Sequence, residues 1–166
     1  RVGPYPVQPL YTVEDVQATV PLFSSVPYKE VVPLGEGVDA FFFGAGHILG
    51  STMIKLRLTK GEEVRTILFS GDVGRNHTPI IRDPSHIEQA DYVQIESTYG
   101  NRIHEPEEDI PAHLSKVISE THKAGGNVVI PSFAIERTQE LLFHIGNLLK
   151  SKSIPRMKVF LDSPMA

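Results

Sequence analysis

The sequence predicts an α/β chain in two parts, a mostly antiparallel β-rich part over residues 1–100 and a parallel βα part over residues 101–166. Three observations predict it. Before Gly100, short runs rich in β-branched and aromatic residues follow one another across glycine-containing turns. After it, helix-period apolar stripes alternate with short apolar runs. The 166 residues, 40% hydrophobic and 22% charged, suffice for a sizeable core and exclude disorder and collagen-like repetition.

The first element is a short helix opened by Thr12-Val13-Glu14-Asp15, with Thr12 as N-cap, Asp15 as its partner at N3, and apolar residues at Val16, Val20 and Phe23. Strands are expected over residues 38–43, 52–58, 64–69 and 92–95. The second alternates apolar with charged residues, and Lys60-Gly61-Glu62-Glu63 reads as a hairpin loop between the second and third, so this stretch is an antiparallel meander. Beyond Gly100, Leu114, Val117, Ile118 and Thr121 form one helical stripe, with Pro111 in or before the first turn and Ala124-Gly125-Gly126 as the stop. Buried strands are expected at Asn127–Pro131 and Met157–Leu161, around a second helix marked by Leu141, Leu142, Ile145, Leu148 and Leu149. Strands joined through such a helix pair in parallel.

No run approaches the roughly 18 uninterrupted apolar residues of a membrane helix, and the opening Arg1-Val2-Gly3-Pro4-Tyr5 lacks the pattern of a secretory signal. No membrane partner and a cytoplasmic location are expected. Without cysteine there is no disulfide framework and no thiolate metal site, so a metal must be held by His, Asp or Glu. Sixteen Lys plus Arg against twenty Asp plus Glu, a net charge of -4, argue against bulk attraction to nucleic acid and leave room for local basic patches.

Three stretches set a polar side chain beside glycines at the end of an expected strand. They are Gly44-Ala45-Gly46-His47-Ile48-Leu49-Gly50-Ser51, Ser70-Gly71-Asp72-Val73-Gly74-Arg75 and Ile95-Glu96-Ser97-Thr98-Tyr99-Gly100. Glycine admits positive φ and close backbone approach. His47 to Asp72 is 25 residues and Asp72 to Glu96 is 24, about one passage out and back across a sheet, so all three can emerge on one rim. An imidazole with a carboxylate suits zinc. Each residue alone also has a plain structural reading: His47 as a hydrogen-bonding residue, Asp72 as a turn former, Glu96 as a solvated edge charge.

These three motifs resemble consecutive motifs of the β-CASP metallo-β-lactamase RNases, a family that includes the mRNA 3′-end cleavage endonuclease and RNase J. Residues 127–140 and Phe160-Leu161-Asp162-Ser163-Pro164-Met165-Ala166 resemble its prokaryotic branch. The resemblance implies the C-terminal part of an αββα metallo-β-lactamase domain over 1–100 and the N-terminal part of a β-CASP domain over 101–166. It implies a hydrolase acting on RNA phosphodiesters with water activated by two zinc ions. In it His47 is a zinc ligand, Asp72 a catalytic carboxylate bridging the two metals, and Glu96 a catalytic acidic residue that orients a histidine near the leaving group.

The family's His-x-His-x-Asp-His cluster does not occur among His47, His77, His86, His104, His113, His122 and His144. The chain is therefore expected to be an internal portion of a larger protein, inactive alone, since a zinc site takes at least three protein donors. His113, His122 and His144 read as ordinary helix-boundary residues, and His77 and His86 as loop residues.

Single-stranded RNA is the expected partner, held by backbone charge and stacking. Ser97, Thr98 and Tyr99, with Tyr99 stacking on a base, and His104 near the family's interdomain cleft are its candidate contacts. So are Ser132, Arg137 and Thr138, where unpaired N–H groups at a helix start can hold a phosphate. The alternative there is an ordinary capped helix with Arg137 tied to Glu140. A homodimer is compatible with all of this. A second functional reading is a catalytically inactive RNA-binding or scaffold homologue, against which the joint retention of His47, Asp72 and Glu96 speaks.

Overall fold

A computed structural model of the chain describes residues 9–102 and 109–165. Its first helix, α1 (Val13–Thr19), starts where the sequence places it. Asp15 N–H donates to Thr12 Oγ1, and Thr12 N–H donates to Asp15 Oδ2 at 2.8 Å, the reciprocal box that satisfies two free donors of the first turn. A single 3-10 turn, Val20–Leu22, continues it with Pro21 in its first turn.

Five strands form one sheet in sequence order, β1 (Val32–Gly35), β2 (Val38–Gly44), β3 (Thr52–Lys60), β4 (Glu63–Phe69) and β5 (Tyr92–Gln94). The first four are an antiparallel meander, and β5 joins β4 in parallel. Lys60 pairs with Glu63 across the expected hairpin, whose Gly61 has φ +60°. The register puts Val38, Ala40 and Phe42 beside Leu58, Leu56 and Ile54, and Leu56 and Ile54 beside Ile67 and Phe69, so the middle of one face is apolar, with Arg65 opposite Leu58 and Gln94 opposite Phe69 at its margins. The alternation of β3 sends Lys55 and Arg57 to the other face. There both Arg57 Nε and Nη2 donate to Asp39 Oδ2, at 3.1 and 2.6 Å, while the guanidinium stands 5.3 Å over the Phe41 ring.

A parallel neighbour requires a crossover, and residues 70–91 provide it without a helix or strand. Side chains pin its far end. Lys55 Nζ donates to the Gln89 carbonyl at 2.6 Å, and Asp91 Oδ2 accepts both the N–H and the hydroxyl of Thr66.

The remainder packs as a helix pair, α2 (Ile110–Lys123) and α3 (Arg137–Lys150). Asp109 caps α2 and Pro111 lies in its first turn, where its missing N–H costs nothing. Both helices end in the same double bond. Gly126 and Gly125 N–H donate to Thr121 and His122 carbonyls, and Ser153 and Lys152 N–H to Leu148 and Leu149. Ile118, Ile145, Leu148 and Ile154 form the core between them, with Leu114, Leu149 and Met157 against it.

The strands expected at Asn127–Pro131 and Met157–Leu161 do not form, which corrects the parallel βα reading of this part. A strand exists only through its ladder. No partner strand flanks either segment among the described residues, and Val129 and Phe160 stand 85% and 84% exposed. Instead the two segments line a groove with Ile118, Leu141 and Ile145 of the helices. The one parallel pairing in the described sheet is β4 with β5.

Candidate functional site

Three strand ends meet at one rim of the sheet. After β2, Ala45 is fully buried and its N–H donates to the Ser51 carbonyl at 3.0 Å. Ser51 Oγ accepts the N–H groups of His47 and Ile48 at 3.1 and 3.2 Å, closing a tight loop around His47, whose side chain is partly exposed. Gly46 has φ +65° and lies against Pro84, where a Cβ would clash.

After β4, Gly71 has φ +55° and turns the chain so that Asp72 stands on the same rim. His47 Nε2 lies 4.0 Å from Asp72 Oδ2, with the side chains 39% and 74% exposed. The shared placement expected from the matched spacing is present.

Glu96, just beyond β5, completes the group from behind. Its Oε1 accepts the Val73 N–H at 2.9 Å, and its own N–H donates to Ser70 Oγ at 3.1 Å. Ser70 is 4% exposed, donates its hydroxyl proton to the Gly71 carbonyl at 2.6 Å, and through its N–H bonds the Gln94 carbonyl. The Val73 N–H holds the Glu96 carboxyl below the usual carboxylate range, helped by a hydrogen bond from Thr98 and, least, by the nearby His47. The sequence shows Ser70 only as the residue that opens the Asp72 stretch. Its role depends on a contact 26 residues away, which no local pattern encodes.

The other expected residues are dispersed. Ser97 and Thr98 follow Glu96 in a turn closed by Gly100 N–H to the Ser97 carbonyl, and the Arg102 guanidinium stacks 4.8 Å over the half-exposed Tyr99 ring. Thr138 is buried, donates to the Phe133 carbonyl at 2.7 Å and shares a hydrogen bond with Ser132 at 3.0 Å. Arg137 Nε lies 3.5 Å from Glu140 Oε2, the ion pair of the ordinary-helix alternative. His104 lies outside the described residues. His77, in the crossover loop, pairs with Asp83 through Nδ1 at 3.7 Å.

Set against zinc, His47 and Asp72 offer the right donor types and too few of them. Three protein donors are the minimum, and no group of three or more His, Asp or Glu side chains converges for a metal among the described residues. None of the described helices is long and apolar enough to cross a membrane.

No family model matches the chain. Whole proteins do. It is 35% identical over 159 residues to a ribonuclease of Thermus thermophilus, covering 96% of this chain and 35% of that protein. It is 34% identical to an RNase J-like protein of Methanocaldococcus jannaschii, with 93% of this chain and 37% of that one covered. A third relative, the transcription termination factor FttA of Methanosarcina mazei, is 32% identical over 87% of this chain and 22% of its own length. The chain thus spans about a third or less of these curated relatives.

Proposed function

The chain belongs to the β-CASP metallo-β-lactamase superfamily, and from that premise we propose that the complete protein is a zinc-dependent ribonuclease hydrolysing single-stranded RNA in the cytoplasm. Residues 1–100 then belong to its metallo-β-lactamase core and residues 101–166 to the start of its β-CASP domain. The observation that carries the reading is the convergence of His47 and Asp72 at 4.0 Å on an exposed rim, with Glu96 bonded to the next residue of the Asp72 loop. An imidazole and a carboxylate are donor types that zinc takes, and on this rim both stand open to an incoming ion.

In this reading His47 and Asp72 are two of the ligands of a dinuclear zinc site whose other donors come from outside these 166 residues. When bound, zinc supplies a water of lowered pKa and neutralises charge on the phosphodiester. The chain's own side chains do the positioning. The Ser51 bridge holds the His47 loop, so that its Nε2 faces the rim. Glu96 holds the Asp72 loop. Tyr99, already paired with a guanidinium, presents an aromatic surface for a base, and Ser97, Thr98, His104, Ser132 and Arg137 remain the candidate polar contacts to RNA, whereas buried Thr138 spends its hydroxyl proton on the Phe133 carbonyl and serves to hold Ser132.

The inactive RNA-binding reading predicts the same RNA affinity with no hydrolysis. Cleavage of a labelled single-stranded RNA by the complete protein separates the two. The wild type should cleave it, and Asp72→Asn should abolish cleavage while leaving RNA binding within about threefold, because one neutralised ligand removes metal function and leaves the phosphate contacts intact. Equal loss of both would remove Asp72 from the metal site. A wild type that binds RNA and never cleaves it would establish the scaffold reading.

A further inference from the structure

We propose that Ser70 and Glu96 together form a two-point clamp that sets the position of Asp72, with Glu96 acting as the acceptor that holds the Val73 N–H. The proposal rests on the zinc reading above and assigns a positioning role within the same site.

Asp72 itself is three-quarters exposed, with the His47 Nε2 4.0 Å from its Oδ2. The four-residue loop Ser70-Gly71-Asp72-Val73 is instead fixed at both of its ends by a single residue. Glu96 N–H donates to Ser70 Oγ at one end, and the Val73 N–H donates to Glu96 Oε1 at the other. The Ser70 hydroxyl, buried to 4% exposure, spends its proton on the Gly71 carbonyl inside the loop, so its remaining acceptor capacity faces Glu96. Ser70 N–H to the Gln94 carbonyl continues the β4–β5 ladder up to the clamp. The loop therefore hangs from the end of β5, and the carboxylate of Asp72 is carried between two anchored neighbours.

A metal ligand on a glycine turn gains affinity when its rotation is restricted before the metal arrives, the general reason that groups behind a ligand matter nearly as much as the ligand. What the Val73 N–H requires is an acceptor oxygen at the Glu96 position. A glutamine amide supplies one. An alanine does not.

The test uses the complete protein, prepared metal-free, with Co(II) alone as the probe, read by its visible absorption, and amide hydrogen exchange at Val73 measured without metal. Glu96→Ala should release the Val73 N–H, speeding its exchange at least about tenfold, and should weaken Co(II) binding by about 10-fold or more. Glu96→Gln, which keeps an acceptor oxygen but a weaker, neutral one, should fall clearly between alanine and wild type in both, and so should Ser70→Ala. Glutamine as damaging as alanine would overturn the proposal in favour of a charge-based role for Glu96. Unchanged Val73 exchange in Glu96→Ala would overturn the clamp while leaving the zinc reading intact. A wild type that takes up no Co(II) would overturn the zinc reading, and the proposal with it.

Discussion

Gly74 lies flat against the Gly46 peptide. Its N–H donates to the Ala45 carbonyl at 2.9 Å, and a Cβ built on it would overlap the Gly46 carbonyl and come within 2.7 Å of His47 N. Two glycine turns 28 residues apart thus interlock, and this contact holds the His47 loop against the Asp72 loop.

The first prediction concerns that contact. Gly74→Ala must push the two backbones apart, and the obstructing atoms are main chain, which cannot swing aside. Overpacking of this kind costs about 1–3 kcal/mol. Urea denaturation should show the loss, and the His47 ring signals in an NMR spectrum should shift with it. An alanine variant of wild-type stability with unmoved His47 signals would mean that the loops do not pack this way.

The second concerns pH. Glu96 is held below the usual carboxylate range first by the Val73 N–H, and Asp91 first by the Thr66 hydroxyl and then by the Thr66 N–H. Both groups release their protons more readily folded than unfolded, so on acidification the unfolded chain binds protons first and stability falls with pH. The contribution is complete above the unfolded pKa values and is lost as the pH drops through the lower folded ones. Urea midpoints between about pH 7 and about pH 3 should stay level and then decline. Asp91→Asn should make that decline shallower. A midpoint that rises on acidification would contradict the assigned directions.

The third compares two helix ends with the same hydrogen-bond pattern. α2 places Gly125 at φ +72° in the left-handed position, whereas α3 places Lys152 there at φ +58°. A side chain in that region costs about 1–2 kcal/mol, partly offset by the roughly 0.5–1 kcal/mol of extra chain freedom that glycine loses on folding. Lys152→Gly should therefore stabilise the helix pair by about 0.5–1 kcal/mol. Thermal melting of the two proteins side by side decides it, and a lowered Tm would show that Lys152 makes a compensating contact.

Much of this architecture is legible in the residues themselves, and the illegible parts share one physical origin. The Thr12–Asp15 box, the Gly61 hairpin, the alternation of β3 and the Gly125 stop are local rules, satisfied within a few residues, and each is present in the structure. So is the gathering of His47, Asp72 and Glu96, although strand length accounts only for the first pair, joined through β3 and β4, while an irregular crossover and the short parallel β5 bring Glu96 to the same rim. β1 carries little strand signal because Pro33 and Gly35, poor strand formers, occupy half of it. The apolar runs at 127–131 and 157–161 have strand composition and no strand, since pairing depends on neighbours that composition does not carry. The Ser70 and Val73 bonds to Glu96 span 26 and 23 residues, and they too depend on neighbours brought in by the fold.

The last prediction separates two uses of Arg137. Its Nε lies 3.5 Å from Glu140 Oε2, and that carboxylate is only 12% exposed while Arg137 is 56% exposed. If Arg137 contacts an RNA phosphate in the complete protein, the phosphate must compete with Glu140 for the guanidinium. Neutralising the competitor should then strengthen binding. Glu140→Gln is expected to raise affinity for single-stranded RNA by about two- to fivefold at moderate salt, and Arg137→Ala to lower it and reduce the salt slope by about one charge. In the double variant Arg137→Ala/Glu140→Gln the gain should vanish, since both effects act through one guanidinium. Binding that is indifferent to all three variants would leave Arg137 as a helix-surface residue whose partner is Glu140 alone.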